Sequence, residues 1–207
     1  MNRPGCILSC SPRAGGNSDR VAAALEAALS KDGVSSVLRM RLADFSITSC
    51  ISCGFCLDQP GRCSLDREHQ DKGFGWQGEP DQAMTVLENL CLSSLACLVS
   101  PIYFYHLPGK TKALLDRCQT FYKVADHDKP GQGRRLGVIL LAARDKGDKL
   151  FAGSLLSLKF ACKIIGLELT EPLLLRGLDG PDDFLAQPEA MAAVEQYADF
   201  LVDLCDE

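Results

Sequence analysis

Four thiols fall within fourteen residues of this chain: Cys50-Ile-Ser-Cys53-Gly-Phe-Cys56-Leu-Asp-Gln-Pro-Gly-Arg-Cys63. Two residues separate each of the first three, so consecutive turns of one loop can aim their sulfurs inward, and Gly54 lets the backbone fold closely round what they hold. A [4Fe-4S] cube asks for such a loop. The same residues also suit a set of free or redox-active thiols. Zinc fits less naturally, because structural zinc takes two knuckles about a dozen or more residues apart, whereas six residues separate Cys56 from Cys63.

A second stretch could hold an anion. Ser9-Cys10-Ser11-Pro12-Arg13-Ala14-Gly15-Gly16-Asn17-Ser18 brings hydroxyls, an amide and a guanidinium to the start of a helix. The unpaired N–H groups there, the positive end of the helix dipole and Arg13 together attract negative charge. A helix merely capped by Asn17 or Ser18 would read the same way. Two nucleotide-binding motifs fail on spacing. G-x-G-x-x-G is absent after the first strand, and Gly109-Lys110-Thr111 lacks the leading glycine of a Walker loop, since position 104 is Phe104.

A third stretch, Pro101-Ile102-Tyr103-Phe104-Tyr105, is aromatic and sits at a predicted strand end. It offers a planar ring an apolar slot with backbone hydrogen-bonding groups, or it is simply core. His69, His106 and His127 are too scattered for a metal centre, although His106 could set a pH-sensitive donor beside the aromatic stretch. Asp116 and Arg117 read as a structural or interface ion pair.

These loops must be positioned by the elements between them. Short β-rich runs alternate with helical patterns, the mark of a parallel sheet with helices on both faces. Strands are predicted at Gly5 to Ser9, Ser36 to Met40, Ala96 to Ser100, Gly137 to Leu141 and Glu168 to Leu174. Helices are predicted from Asn17 or Ser18 to Lys31, near Asp81 to Leu92, from Gly109 to Val124, from Asp148 to Ile165, and from Pro188, where proline suits a first turn. The result is an α/β, doubly wound, five-stranded parallel sheet of order 2-1-3-4-5. Such sheets bind ligands at the carboxyl ends of the strands, at the switch point between strands 1 and 3. The loops Cys10 to Ser18, Pro101 to Gly109 and Ala142 to Gly147 should therefore make the site. Arg67 to Pro80, polar, Gly-rich and holding Trp76, is predicted to be a long irregular loop.

Composition fits one domain spanning residues 1–207, with 46% hydrophobic residues to supply its core. Lys plus Arg number 22 against 27 Asp plus Glu, a net charge of −5 with no basic run, which argues against a nucleic-acid surface. No apolar stretch approaches the length of a membrane span and the N-terminus has no apolar export core, so a cytoplasmic location is expected. Eleven cysteines in that setting point to reduced thiols or metal ligation. Cys6, Cys91, Cys97, Cys162 and Cys205 read as small buried hydrophobes.

Three separated motifs carry a family resemblance: Ser11-Pro12-Arg13-x-x-Gly16-Asn17-Ser18, the cysteine loop with Asp66 after it, and Ser100-Pro101-Ile102-Tyr103-Phe104 followed by Lys112-Ala113-Leu114-Leu115-Asp116-Arg117. Over about residues 4 to 175 the chain resembles the flavodoxin-like NADPH-dependent FMN reductases, and the compact cysteine motif resembles their iron-sulfur flavoprotein branch. The resemblance implies FMN, its phosphate held by Ser11, Arg13, Asn17 and Ser18 and its isoalloxazine bordered by Pro101, Ile102, Tyr103 and Phe104. It implies a [4Fe-4S] cluster on Cys50, Cys53, Cys56 and Cys63, and a homodimer or homotetramer. Cys10 stands where the family motif has glycine, and Ala142 to Gly147 replaces a glycine-rich turn. The expected function is an FMN-dependent oxidoreductase whose chemistry is carried by the flavin, with NAD(P)H or a ferredoxin as donor and a small molecule or redox protein as acceptor. The alternatives are a flavodoxin-like electron carrier or a flavin-free metal or redox sensor.

Overall fold

The computed structural model describes residues 4–34, 36–66 and 81–206; the loop expected near 67–80, with His69 and Trp76, lies outside them. Strand β1 (Gly5–Ser9) pairs in parallel with β2 (Val37–Arg41) and β3 (Ala96–Pro101), and β3 pairs with β4 (Arg134–Leu141). With β5 at Leu167–Leu169, the sheet runs in the expected order β2-β1-β3-β4-β5. Every residue of β1 is buried, as are the last six of β4, because both sheet faces are covered.

Helices α1 (Asn17–Lys31) and α6 (Pro188–Asp206) cover one face. Helices α3 (Ala83–Leu92), α4 (Gly109–Arg117) and α5 (Ala152–Ile165) cover the other. Between α1 and α3, the single turn α2 (Phe55–Asp58) belongs to the cysteine loop. Alternation along β1 divides the core: Ile7 packs with Val21, Leu25 and Leu29 of α1, while Cys6 and Leu8 pack with Leu87, Leu90 and Leu114. Cys6, Cys91 and Cys162 are buried there, and desolvation pushes each thiol up to about 12. Cys205, expected to be buried as well, is exposed near the end of α6.

Three elements depart from expectation. The helix predicted to run to Val124 stops at Arg117 and tightens into a 3-10 turn, Cys118–Phe121. There the Thr120 carbonyl accepts the Gly61 N–H from the cysteine loop, so it is withdrawn from the helix ladder. Helix α5 starts at Ala152 rather than near Asp148, because Leu150 and Phe151 turn into the core ahead of it. The fifth strand is split: β5 (Leu167–Leu169) pairs with the start of β4, and β6 (Leu173–Leu175) with its end.

Pro172 has no N–H to give a ladder at the break, and Tyr197 of α6 fills it. Its hydroxyl accepts the Val138 N–H at 3.0 Å and donates to Glu171 O at 2.9 Å. Burial raises the Tyr197 hydroxyl well above the ordinary tyrosine range. Tyr197→Phe strands a buried N–H and should lower stability by about 1–3 kcal/mol. Urea unfolding at neutral pH checks this, and an unchanged midpoint would remove Tyr197 from the strand break.

Candidate functional site

The carboxyl ends of β1, β3, β4 and β6 open on one edge of the sheet, and the loops that follow them meet there. Gly16 precedes α1 with no side chain capping the helix, so the amino end of α1 stays open to a ligand. A Cβ placed on Gly16 would lie 3.7 Å from Arg13 Nε, so the exposed Arg13 side chain runs across that helix end. Ser11 Oγ accepts the Arg13 N–H at 3.2 Å and fixes the turn. Ser18 is buried in the first turn. Open N–H groups and a guanidinium at one helix end suit a phosphate.

Asn17 is used differently from the expectation. Its Nδ2 donates to Gly180 O at 2.7 Å and Leu178 O at 3.4 Å, and its Oδ1 accepts the Phe184 N–H at 3.2 Å. The side chain is thus a clamp on the loop after β6 and leaves only its backbone N–H for an anion. Cys10 beneath the loop is a buried thiol, raised to about 12 by desolvation.

Asp19 locks the other side of this loop. Its carboxylate accepts from Ser9 Oγ at 2.5 Å, Gly15 N–H at 2.8 Å and Arg41 Nε at 3.1 Å, joining β1, the loop and β2. Sequence reading missed both Asp19 and the loop after β6. The turn residues Asp179-Gly180-Pro181 were the available signal for that loop.

The aromatic stretch forms a tight turn. Tyr103 and His106 exchange backbone hydrogen bonds at 2.8 and 3.1 Å, and Phe104 and Tyr105 between them hold φ of 54° and 64°. Bulky residues adopt that conformation only when their surroundings impose it. Tyr103 and Tyr105 are nearly half exposed and Phe104 is wholly exposed. Arg144, from the loop after β4, donates to Tyr105 Oη at 2.9 Å. His106 Nδ1 accepts the Leu107 N–H at 2.9 Å, so Nε2 carries the proton toward Ser157 Oγ at 3.0 Å.

Cys50, Cys53, Cys56 and Cys63 all line a single cavity of about 510 Å³, closed by Leu115 and Arg117 at the carboxyl end of α4. Ser52 and Gly54, with φ of 55° and 79°, wrap the backbone round it, and buried Phe55 anchors α2. Desolvation raises the Cys56 thiol, with Cys63, Cys50 and Cys53 adding to the rise. Among the described residues no three His, Cys, Asp or Glu side chains are grouped to hold a single ion. The four thiols thus line one cavity without converging on the single point an ion would take.

Arg117 and Asp116 do not pair. Asp116 bonds Lys112, one helical turn back, while Arg117 turns inward to Asp81 at 2.8 Å, the two side chains being 1% and 0% exposed. Arg117 also donates to Thr48 O and to Cys63 Sγ, each at 3.0 Å.

A family model for NADPH-dependent FMN reductases matches residues 6–158, a span holding the anion loop, the cysteine cavity and the aromatic turn. The chain belongs to the NADPH-dependent FMN reductase family. It is a flavin-dependent oxidoreductase of that family. Among solved structures, it resembles an FMN-dependent NADH-azoreductase from Bacillus anthracis at 16% identity and TM-score 0.64, over 96% of this chain and 99% of that one. An NAD(P)H:quinone oxidoreductase from Methanothermobacter marburgensis matches at 15% identity and TM-score 0.60, over 96% and 95%. At such identities these likenesses speak for the fold. No curated protein matches the sequence at a significant level. No helix among the described residues is long and apolar enough to cross a membrane.

Proposed function

We propose that this reductase-family protein uses FMN to carry electrons from NADH or NADPH to a small acceptor or a redox partner protein. The observation that carries the reading is Arg13, lying across the uncapped amino end of α1 on the sheet edge that also bears the aromatic turn. In this reading Ser11, Arg13, Ser18 and the first N–H groups of α1, Asn17 included, hold the FMN phosphate. Pro101, Ile102, Tyr103 and Phe104 border the isoalloxazine, and Arg144 steadies the turn through Tyr105. The flavin, when bound, supplies two-electron hydride uptake and one-electron release. The chain's own residues bind it, orient it and exclude water, and none is assigned a catalytic role.

A [4Fe-4S] cluster on Cys50, Cys53, Cys56 and Cys63 would give this flavoprotein a one-electron port. What supports it is the donor chemistry and the single cavity the four thiols share. Helix α4 starts just after the aromatic turn and ends at this cavity, so about 13 Å of helix lies between the two. A homodimer or homotetramer would cover Phe104, since a bare aromatic turn marks a contact surface.

Arg13→Ala should weaken FMN by about 1.5–3 kcal/mol, the loss of a charged hydrogen bond, or roughly tenfold or more in Kd. Quenching of flavin fluorescence on titration measures it. Equal affinity would take Arg13 out of the site, and a wild-type protein that binds no FMN would end the reading. FMN binding without oxidation of NADH or NADPH would make the protein an electron carrier instead.

A further inference from the structure

We propose that Arg117 is the positioning residue of the cysteine cavity, holding the Cys63 sulfur through Nη2 and turning the guanidinium end of a fixed ion pair toward it, which favours the reduced form of a cluster bound there. This rests on the cluster reading above and adds to it a residue that is not itself a ligand.

Cys63 is the cysteine that most needs placing. The other three share one tight run, whereas Cys63 follows the Pro60-Gly61 turn, where Gly61 is at φ 83°. Its sulfur receives an N–H from a side chain of another element, Arg117 at the end of α4. Cys53 has a neutral neighbour instead, with Sγ 3.0 Å from Ser64 Oγ. The Cys63 corner therefore differs from the rest of the cavity, since the guanidinium end of a buried ion pair faces it.

The guanidinium cannot move away from that corner. Asp81 Oδ1 binds Arg117 Nη1 and the Ala83 N–H at 2.9 Å, while Oδ2 binds the Thr48 N–H at 2.6 Å. The carboxylate is thus tied to two backbone groups, and Thr48 O takes a further bond from Nη1. Nη2 is left for the sulfur. Burying both charges costs several kcal/mol per ion, and an apolar pair often stabilises a fold as well. The buried Nε of Arg117 has no hydrogen-bond partner, a cost that a residue serving only as a cross-link could avoid. The arrangement makes sense when Nη2 faces a sulfur that gains negative charge. Donors to cluster sulfurs are one of the levers that set reduction potential.

The step concerned is the gain of one electron by the cluster. No bond forms or breaks and no proton moves, and in the experiment mediator dyes poised at an electrode supply the electron. Full-length wild type, Arg117→Lys and the double variant Arg117→Met with Asp81→Asn are reconstituted anaerobically with iron and sulfide, and iron content and cluster potential are measured. The double variant removes both charges, so no lone buried charge remains to unfold it. Its cluster should be harder to reduce by tenfold or more in the equilibrium, about 59 mV for one electron, with Arg117→Lys between it and wild type. A folded variant that loads far less iron also supports the positioning role. Full loading with wild-type potential in both variants overturns the proposal while leaving the cluster intact. If the double variant fails to fold, Arg117→Lys decides alone, and a wild-type potential in it overturns the proposal. A wild type that takes up no iron removes the cluster reading, and this inference with it.

Discussion

Asp81→Ala should cost about 3–5 kcal/mol of folding stability, the scale of breaking one partner out of a buried ion pair. The substitution leaves the Arg117 guanidinium, 1% exposed, without its counter-charge, and removes the acceptor of the Thr48 and Ala83 N–H groups. Three segments lose a common tie at once: the approach to the cysteine loop, the start of α3 and the end of α4. Urea unfolding measures the change. Asp116→Ala is the control, because the Lys112–Asp116 pair is solvent-exposed and such pairs contribute at most about 1 kcal/mol. Equal losses for the two variants would mean that Asp81 holds no special place in the fold.

That contrast also shows where a sequence stops being readable. Asp116 and Arg117 look like a pair because they are adjacent, yet neighbouring positions on a helix do not face each other, while positions four apart do. Lys112 was therefore the legible partner of Asp116. Asp81 lies 36 positions from Arg117 in the chain, and no local pattern links them. The sheet was legible for the opposite reason. β1, β3 and β4 are buried on both faces, so each is a short apolar run bounded by polar loops, and its pattern is complete in itself. The split between β5 and β6 was not legible, since it depends on a tyrosine from α6 entering the ladder. The anion loop was readable by residue type, and the structure does bring Ser11, Arg13 and Ser18 to one helix end. The use of the Asn17 side chain was not legible, because its partners, Leu178, Gly180 and Phe184, come from a loop more than 160 residues away.

The effect expected to be largest concerns iron. Anaerobic reconstitution of the wild type should give about four irons and four sulfides per chain, the stoichiometry of the cluster. Cys50→Ser, Cys53→Ser, Cys56→Ser and Cys63→Ser should each lose most of it. Serine offers a hard oxygen donor where soft thiolate sulfur is preferred. The four losses should not be identical. Cys50 and Cys53 are exposed at the mouth of the cavity, so solvent or an added thiol can stand in for a missing sulfur there. Cys56 and Cys63 are partly buried, and Cys63 is flanked by the Arg117 guanidinium, so an added thiol has less access to that corner. Added thiol should accordingly restore part of the iron to Cys50→Ser and little to Cys63→Ser. FMN affinity provides the internal control, because the anion loop and the aromatic turn share no residue with the cavity. Variants that keep FMN but lose iron place the metal in the cysteine loop. Variants that keep both, or a wild type that binds no iron, would leave a flavin-only reductase whose four thiols are open to oxidation.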